Sequence, residues 1–156
     1  MSKVYSVEEA RKKMEYFCSY QDRCHAEVSA RLRDMGMISQ AIDVIMTKLI
    51  QDNYLNEERF ARSFARGKHR IKGWGIPRIT SELKLRSISL ANIKAALTEI
   101  PADDYHENFD KLAEKKWQTT LEKDLLKKKK KVADFLLRKG FESQLVLDKI
   151  HQLGKS

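Results

Sequence analysis

The sequence predicts an all-α protein in which one three-helix unit is used three times. Two observations carry that expectation. Strand signals are missing, since no run alternates β-branched and polar residues and no Asn-Gly hairpin turn occurs. Against that background a spacing recurs. With Gly36, Ser87 and Gly140 as anchors, 51 and 53 residues apart, Leu32, Leu83 and Leu136 stand four residues earlier and Val28, Ile79 and Val132 eight earlier. Met37, Ile88 and Phe141 follow each anchor by one, Ile42, Ile93 and Val146 by six, Met46, Leu97 and Ile150 by ten, and Leu49, Ile100 and Leu153 by thirteen. A shared pattern of this period marks a repeated helical unit that contacts mainly its neighbours. A lone unit of about 50 residues buries too little surface to be comfortably stable, so the three are expected to lean on one another.

The elements follow in order. Ser6 and Glu9 form a capping box that opens a first helix near Val7. Asp22 is placed to cap a second, which runs to about Met35 and ends on a left-handed Gly36. Ser39 opens a third, with Ile42, Ile45, Met46, Leu49 and Ile50 on one stripe of helical period. Asn56 caps a fourth whose first turn is acidic, Glu57 and Glu58, which suits the positive end of the helix dipole. Phe60, Phe64 and Ile71 are expected to face inward from it. Gly73, Trp74, Gly75 and Pro77 break the chain. Pro77 suits the first turn of a fifth helix, where its missing N–H does no harm, and Ile79 and Leu83 form that helix's apolar face. Ser89 caps the sixth, Ile88 packs on Ile93 as a hydrophobic staple, and Pro101 ends it. The seventh, after the acidic turn Asp103-Asp104, carries Phe109, Leu112, Ala113 and Trp117. The eighth runs through the lysines to Lys139, with Leu136 inside, and Gly140 stops it. The ninth ends near Leu153. The units are read as residues 1–54, 55–102 and 103–156. The short join at Tyr54–Asn56 predicts that the first two are nearly continuous, and the join at Pro101–Asp104 reads as more hinge-like.

Charge is distributed unevenly. Residues 56–86 hold 9 basic and 3 acidic side chains, and residues 111–139 hold 11 and 4, within a total of +9. Basic blocks on a neutral background point to a polyanionic or acidic partner. On a helix from Asn56, Arg59, Arg62, Arg66 and Arg70 share a face, because they are three or four residues apart. Arginine makes forked bonds to carboxylate or phosphate, so the stripe suits an acidic groove or a nucleic-acid backbone, or else is a solvated helix face. Lys68, Lys72 and Arg78 widen the same basic surface. Trp74, between glycines, suits stacking on a base or filling a partner's pocket, or else caps the unit's own core. Lys127 to Lys131 point all round a helix, so at most three share a face. Lys127, Lys128, Lys130 and Lys131 are read as a diffuse phosphate-attracting patch, with solubility as the alternative.

Other classes find little support. Met1 to Ala10 carries Lys3, Glu8 and Glu9 and does not read as a secretory signal. No apolar run approaches the ~18 residues of a membrane span. Cys18 and Cys24 suit a reducing cytoplasm; with His25 they do not complete a zinc set, and no metal is expected. His25, His69, His106 and His151 are scattered, and Gly73-Trp74-Gly75 lacks the strand and third glycine of a phosphate loop. No Ser or Cys has a nucleophile context. The chain is therefore read as non-enzymatic, without a cofactor.

The segment Tyr54-Leu55-Asn56-Glu57-Glu58-Arg59-Phe60-Ala61-Arg62-Ser63-Phe64-Ala65-Arg66, followed by Gly73, Gly75, Arg78-Ile79 and Glu82-Leu83, resembles the signature of the RecX family, the bacterial regulators of the RecA recombinase. Ala26-Glu27-Val28 with Leu32 and Leu49 is similar to that family's opening repeat, and Arg138-Lys139-Gly140-Phe141 to its closing one. Ile76 departs from the pattern, in which proline more often follows that glycine directly. The resemblance implies three tandem three-helix units in an elongated, curved array. It implies an activity without a chemical step, the protein lying in the groove of the RecA–DNA filament, bridging subunits and restraining filament growth, ATP hydrolysis and strand exchange; apart from the resemblance, a monomer is expected. Single- or double-stranded DNA is a further candidate partner, on the strength of the basic blocks. Two other readings stay open: a general nucleic-acid-binding helical protein, and a helical adaptor for an acidic protein.

Overall fold

The computed structural model describes residues 4–155 as nine helices with no strand among them. In chain order these are α1 (Val7–Tyr20), α2 (His25–Asp34), α3 (Ser39–Gln51), α4 (Glu57–Arg70), α5 (Ile76–Leu85), α6 (Leu90–Leu97), α7 (Ala102–Thr119), α8 (Leu125–Arg138) and α9 (Ser143–Leu153). The principal helix pairings lie within α1–α3, within α4–α6 and within α7–α9. The accessible surface, 9943 Å², exceeds the roughly 8,100 Å² of a compact monomer of this mass, as expected of units set in a row.

The recurring spacing proves to be a repeated helix stop. Gly36, Ser87 and Gly140 all take left-handed backbone, with φ of +84°, +61° and +93°. At each, the anchor N–H donates to the carbonyl three residues back (Arg33, Lys84, Leu137), and the next N–H donates to the carbonyl of Leu32, Leu83 or Leu136. This double bond pattern satisfies carbonyls that a helix end leaves open. It also turns the chain so that the leucine before the stop and the apolar residue six after it, Ile42, Ile93 or Val146, meet in the core.

Several local expectations are corrected. Asp22 does not cap α2: Cys24 takes that place, Glu27 accepts its N–H, and Asp22 accepts from Arg59 instead. Ile71 is 82% exposed, because α4 ends one residue earlier and Ile71 leaves the helical stripe. Ile50, on the shoulder of its stripe, is also exposed, while Met46, Phe64 and Leu97 sit half-buried at the core margin. Pro101 does not end α6, which stops at Leu97; it precedes α7 and its carbonyl accepts the Tyr105 N–H.

The Pro101 join also departs from its expected character. One core belongs to the first unit, built on Ala10, Met14, Val28, Leu32, Ile45 and Leu49, and it takes in Leu55. A second, continuous core runs from Phe60, Ile79 and Leu83 through Phe109 to Leu136, Phe141 and Val146, and it takes in Cys24. The second and third units are therefore fused, and the Pro101 join is no hinge. The first unit meets the second through Cys24, Leu55 and the Arg59 guanidinium, which donates to the Asp22 carboxylate at 2.8 Å and to the Asn53 and Tyr54 carbonyls.

Candidate partner interface

The fusion of the second and third units positions the basic surface. The C-terminus of α8 abuts the N-terminus of α5. Gly75 N–H donates to the Lys139 carbonyl at 2.8 Å, Arg78 N–H to the Gly140 carbonyl, and the Arg78 guanidinium to the Arg138 carbonyl at 2.8 Å. Open carbonyls at one helix end thus meet open N–H groups at another, and the dipole ends are of opposite sign. The approach is close enough to exclude side chains: a Cβ on Gly75 would lie 2.4 Å from the Gly140 carbonyl oxygen, and one on Gly140 would lie 2.0 Å from Arg78 Cβ.

A polar chain, buried at His69 and Tyr105, crosses the same seam. The Tyr105 hydroxyl accepts from Ile76 N–H at 2.9 Å and donates to Glu142 at 2.5 Å. Burial, then the Glu142 carboxylate, push its pKa far above the ordinary tyrosine range. His69, 4% exposed, stacks on Tyr105. Its Nδ1 is 3.0 Å from the Trp74 carbonyl and must donate to it, which leaves Nε2 to accept from the Asn108 amide at 3.0 Å.

The basic residues singled out from sequence fall into separate sets. Arg59, Arg62 and Arg66 have partners within the chain: Asp22 for Arg59, Glu58 and Thr98 for Arg62, and Glu99, at 2.7 Å, for Arg66. Lys68, Trp74 and Arg78 form a cation–aromatic stack. The Arg78 guanidinium is 4.0 Å and the Lys68 ammonium 5.0 Å from the Trp74 ring centre, and Trp74 meets Phe64 edge-on. Arg86, which sequence reading did not single out, extends the stack over Phe64 at 4.8 Å. Trp74 thus borders the shared core and carries cations on its ring.

Arg70 and Lys72 line a groove of about 480 Å³ at the seam. Lys111 and Lys115 from α7 and Lys139 after α8 line it too, over a floor that includes Leu112 and Phe141. Among the described residues no carboxylate lines this groove, although Glu107 pairs with Lys111 at 3.0 Å beside it. Sequence reading missed Lys111, Lys115 and Lys139 because the seam that gathers them joins residues far apart in the chain. Lys127 to Lys131 do not join the groove, since Lys127 lies twelve residues before Lys139, about 18 Å along a helix axis. Lys130 pairs with Asp134, Lys131 with Glu122, and the Lys128 ammonium stands 4.4 Å from the Trp117 ring centre, while Lys127 is exposed.

Cys18 and Cys24 are free, buried thiols, and burial raises the pKa of Cys18 to about 11. No group of three or more metal-binding side chains occurs among the described residues, and no helix there is long and apolar enough to cross a membrane.

Known proteins match this arrangement. A model of the second three-helix domain of RecX matches residues 56–97, and one of the third three-helix domain matches residues 103–150. The Regulatory protein RecX of Bacillus cytotoxicus is 29% identical over 130 residues, 83% of this chain and 48% of that protein. Its namesake in Oceanobacillus iheyensis is 26% identical over 138 residues, 88% of this chain and 51% of that one. The chain spans about half the length of the curated relatives it matches. The crystal structure of RecX from Lactobacillus salivarius aligns with a TM-score of 0.79 at 25% identity, over 96% of this chain and 97% of that chain. With RecX domain models falling on two successive units and the fold of a RecX crystal structure along nearly its whole length, the chain belongs to the RecX family of regulatory proteins.

Proposed function

We propose that this chain is a non-enzymatic regulator of the RecA recombinase, acting in the cytoplasm as a monomer that binds the groove of the RecA–DNA filament. There it restrains filament extension, ATP hydrolysis and strand exchange. The observation that carries this reading is the shared core of the second and third units, which carries two basic surfaces. One is the Lys68–Trp74–Arg78 stack, and the other is the groove holding Arg70, Lys72, Lys111, Lys115 and Lys139. An element with spaced cationic contacts suits a regular, anionic assembly better than a single small ligand. Arg59 and Arg66 act chiefly through Asp22 and Glu99, by setting the pose of α4, and Arg62 through the Thr98 hydroxyl.

The test is RecA ATP hydrolysis on single-stranded DNA, titrated with this protein at two salt concentrations. Inhibition well below one molecule per RecA is expected, and Arg70→Glu with Lys72→Glu is expected to weaken it at least about tenfold, as loss of hot-spot contacts does. The cationic groove also favours a second reading, plain nucleic-acid binding. Inhibition only at DNA-saturating amounts, vanishing with salt, would replace the first reading with that one.

A further inference from the structure

A concavity of about 900 Å³ lies on the first unit. It is formed by one face of α1 with Arg23, Arg31, Asp34 and Met35. Lys12, Lys13, Tyr16, Phe17 and Tyr20 recur on that face at helical spacing, while Ala10, Met14 and Cys18 turn into the core. Tyr16 and Tyr20 are each 76% exposed, so their rings are open to solvent. Four residues on a helix separate them by about 6 Å along the axis, enough for each ring to take its own flat partner.

Cations line the same concavity. The Arg23 and Arg31 guanidiniums stand over Phe17, 3.8 and 4.4 Å from its centre. Lys12 and Lys13 border the groove, and Lys13 also lies 5.5 Å from the Tyr5 ring centre. Opposing charge comes from Asp34, which lines the groove, from Glu27, 3.8 Å from Arg23, and from Glu8, which interacts with Lys12. The first 55 residues are neutral in sum; Lys12 and Lys13 are local to the tyrosines, and the fold adds Arg23 and Arg31.

We propose that this face is a binding site for single-stranded nucleic acid. Tyr16 and Tyr20 stack on unpaired bases, and Lys12, Lys13 and Arg31 hold phosphates. Aromatic faces interleaved with cations are the arrangement that binds single strands without sequence preference. A duplex hides its base faces and gives the tyrosines nothing to stack on. An acidic polypeptide would engage the cations but leave the rings idle. The site needs no recombinase and stands apart from the RecA reading.

The experiment measures binding of the full chain to a fluorescent oligothymidylate of about 16 nucleotides by anisotropy, with no RecA present. Tyr16→Ala with Tyr20→Ala is expected to weaken binding about tenfold or more, while Tyr16→Phe with Tyr20→Phe keeps it. Lys12→Gln with Lys13→Gln is expected to reduce the salt slope by about 1.4. All six side chains replaced are surface groups, and circular dichroism verifies that each variant stays folded. Unchanged affinity of the alanine variant overturns the site. So does loss of binding in Arg70→Glu with Lys72→Glu but not in the tyrosine variant, which would locate the strand at the seam. So does polyglutamate binding as tightly as the oligonucleotide and indifferent to the tyrosines, which would make the partner an acidic polypeptide. Oligonucleotide binding that survives a failed RecA titration leaves this site in place and removes only the regulatory reading.

Discussion

At the scale of single residues, three left-handed anchors set the architecture, and they are not equivalent. Gly36 and Gly140 adopt their backbone freely, whereas Ser87 holds φ of +61° with a side chain attached. Such a conformation costs a non-glycine residue roughly 1–2 kcal/mol. Ser87→Gly should therefore raise the urea midpoint by the equivalent of up to about 1 kcal/mol; a fall would show that the serine contributes more than backbone shape. Gly140→Ala should do the opposite, losing at least about 1–3 kcal/mol, because its new Cβ would overlap Arg78 as well as strain the backbone. The anchors were legible in sequence because a helix stop and the apolar residues around it are local. Asp22 was misread for the converse reason: it has the chemistry of a cap, but Arg59, 37 residues later, claims its carboxylate. Ile76 also gains an account. Its N–H ties α5 to Tyr105, a bond that proline at that position would lack.

At the scale of elements, two carboxylate and ammonium contacts make helix packing depend on pH. Glu57 at the start of α4 accepts from Ser89 N–H and the Asn92 amide at the start of α6. Burial raises its pKa, but the bonds from Asn92 and Ser89 more than offset this, and the value falls below the ordinary 4.5. Its stabilisation is full above that value and is lost as pH falls through the lower, folded one. Lys149 on α9, 6% exposed, bonds Glu114 and Asp110 on α7. Burial lowers its pKa, yet Glu114 and Asp110 outweigh that and hold it above the ordinary 10.5. This contribution is full below 10.5 and is lost as pH rises through the folded value. Melting temperature measured against pH should therefore drop on both limbs, Glu57→Gln flattening only the acid one and Lys149→Met only the alkaline one. If neither variant changes its limb, other groups govern the profile. Helix faces were readable from the 3.6-residue period, but the docking of α8 onto α5 was not, because nothing local to Gly75 or Gly140 records the other.

At the scale of the whole molecule, two cores replace three. Native-state hydrogen exchange should show α4 to α9 opening as one cooperative unit and α1 to α3 as another, since cooperativity follows shared burial. Three independent exchange groups would mean that the seam at Tyr105 and Gly140 contributes little. Charge blocks were legible as a sign of an anionic partner, yet the surfaces they make were not. The stripe Arg59–Arg66 is largely occupied from within, and the open groove draws Lys111, Lys115 and Lys139 from the third unit. Tyr16 and Tyr20 stood in a neutral stretch with Lys12 and Lys13 beside them, and folding adds Arg23 and Arg31. The shared core also fixes an order of events as the chain emerges from the ribosome, where folding proceeds from the N-terminus. The first core can close once Leu55 is out. The second waits for Phe141 and Val146, so α4 to α6 stay half-built while the 49 residues from Leu97 to Val146 are made, with the apolar side that the third unit will cover still bare.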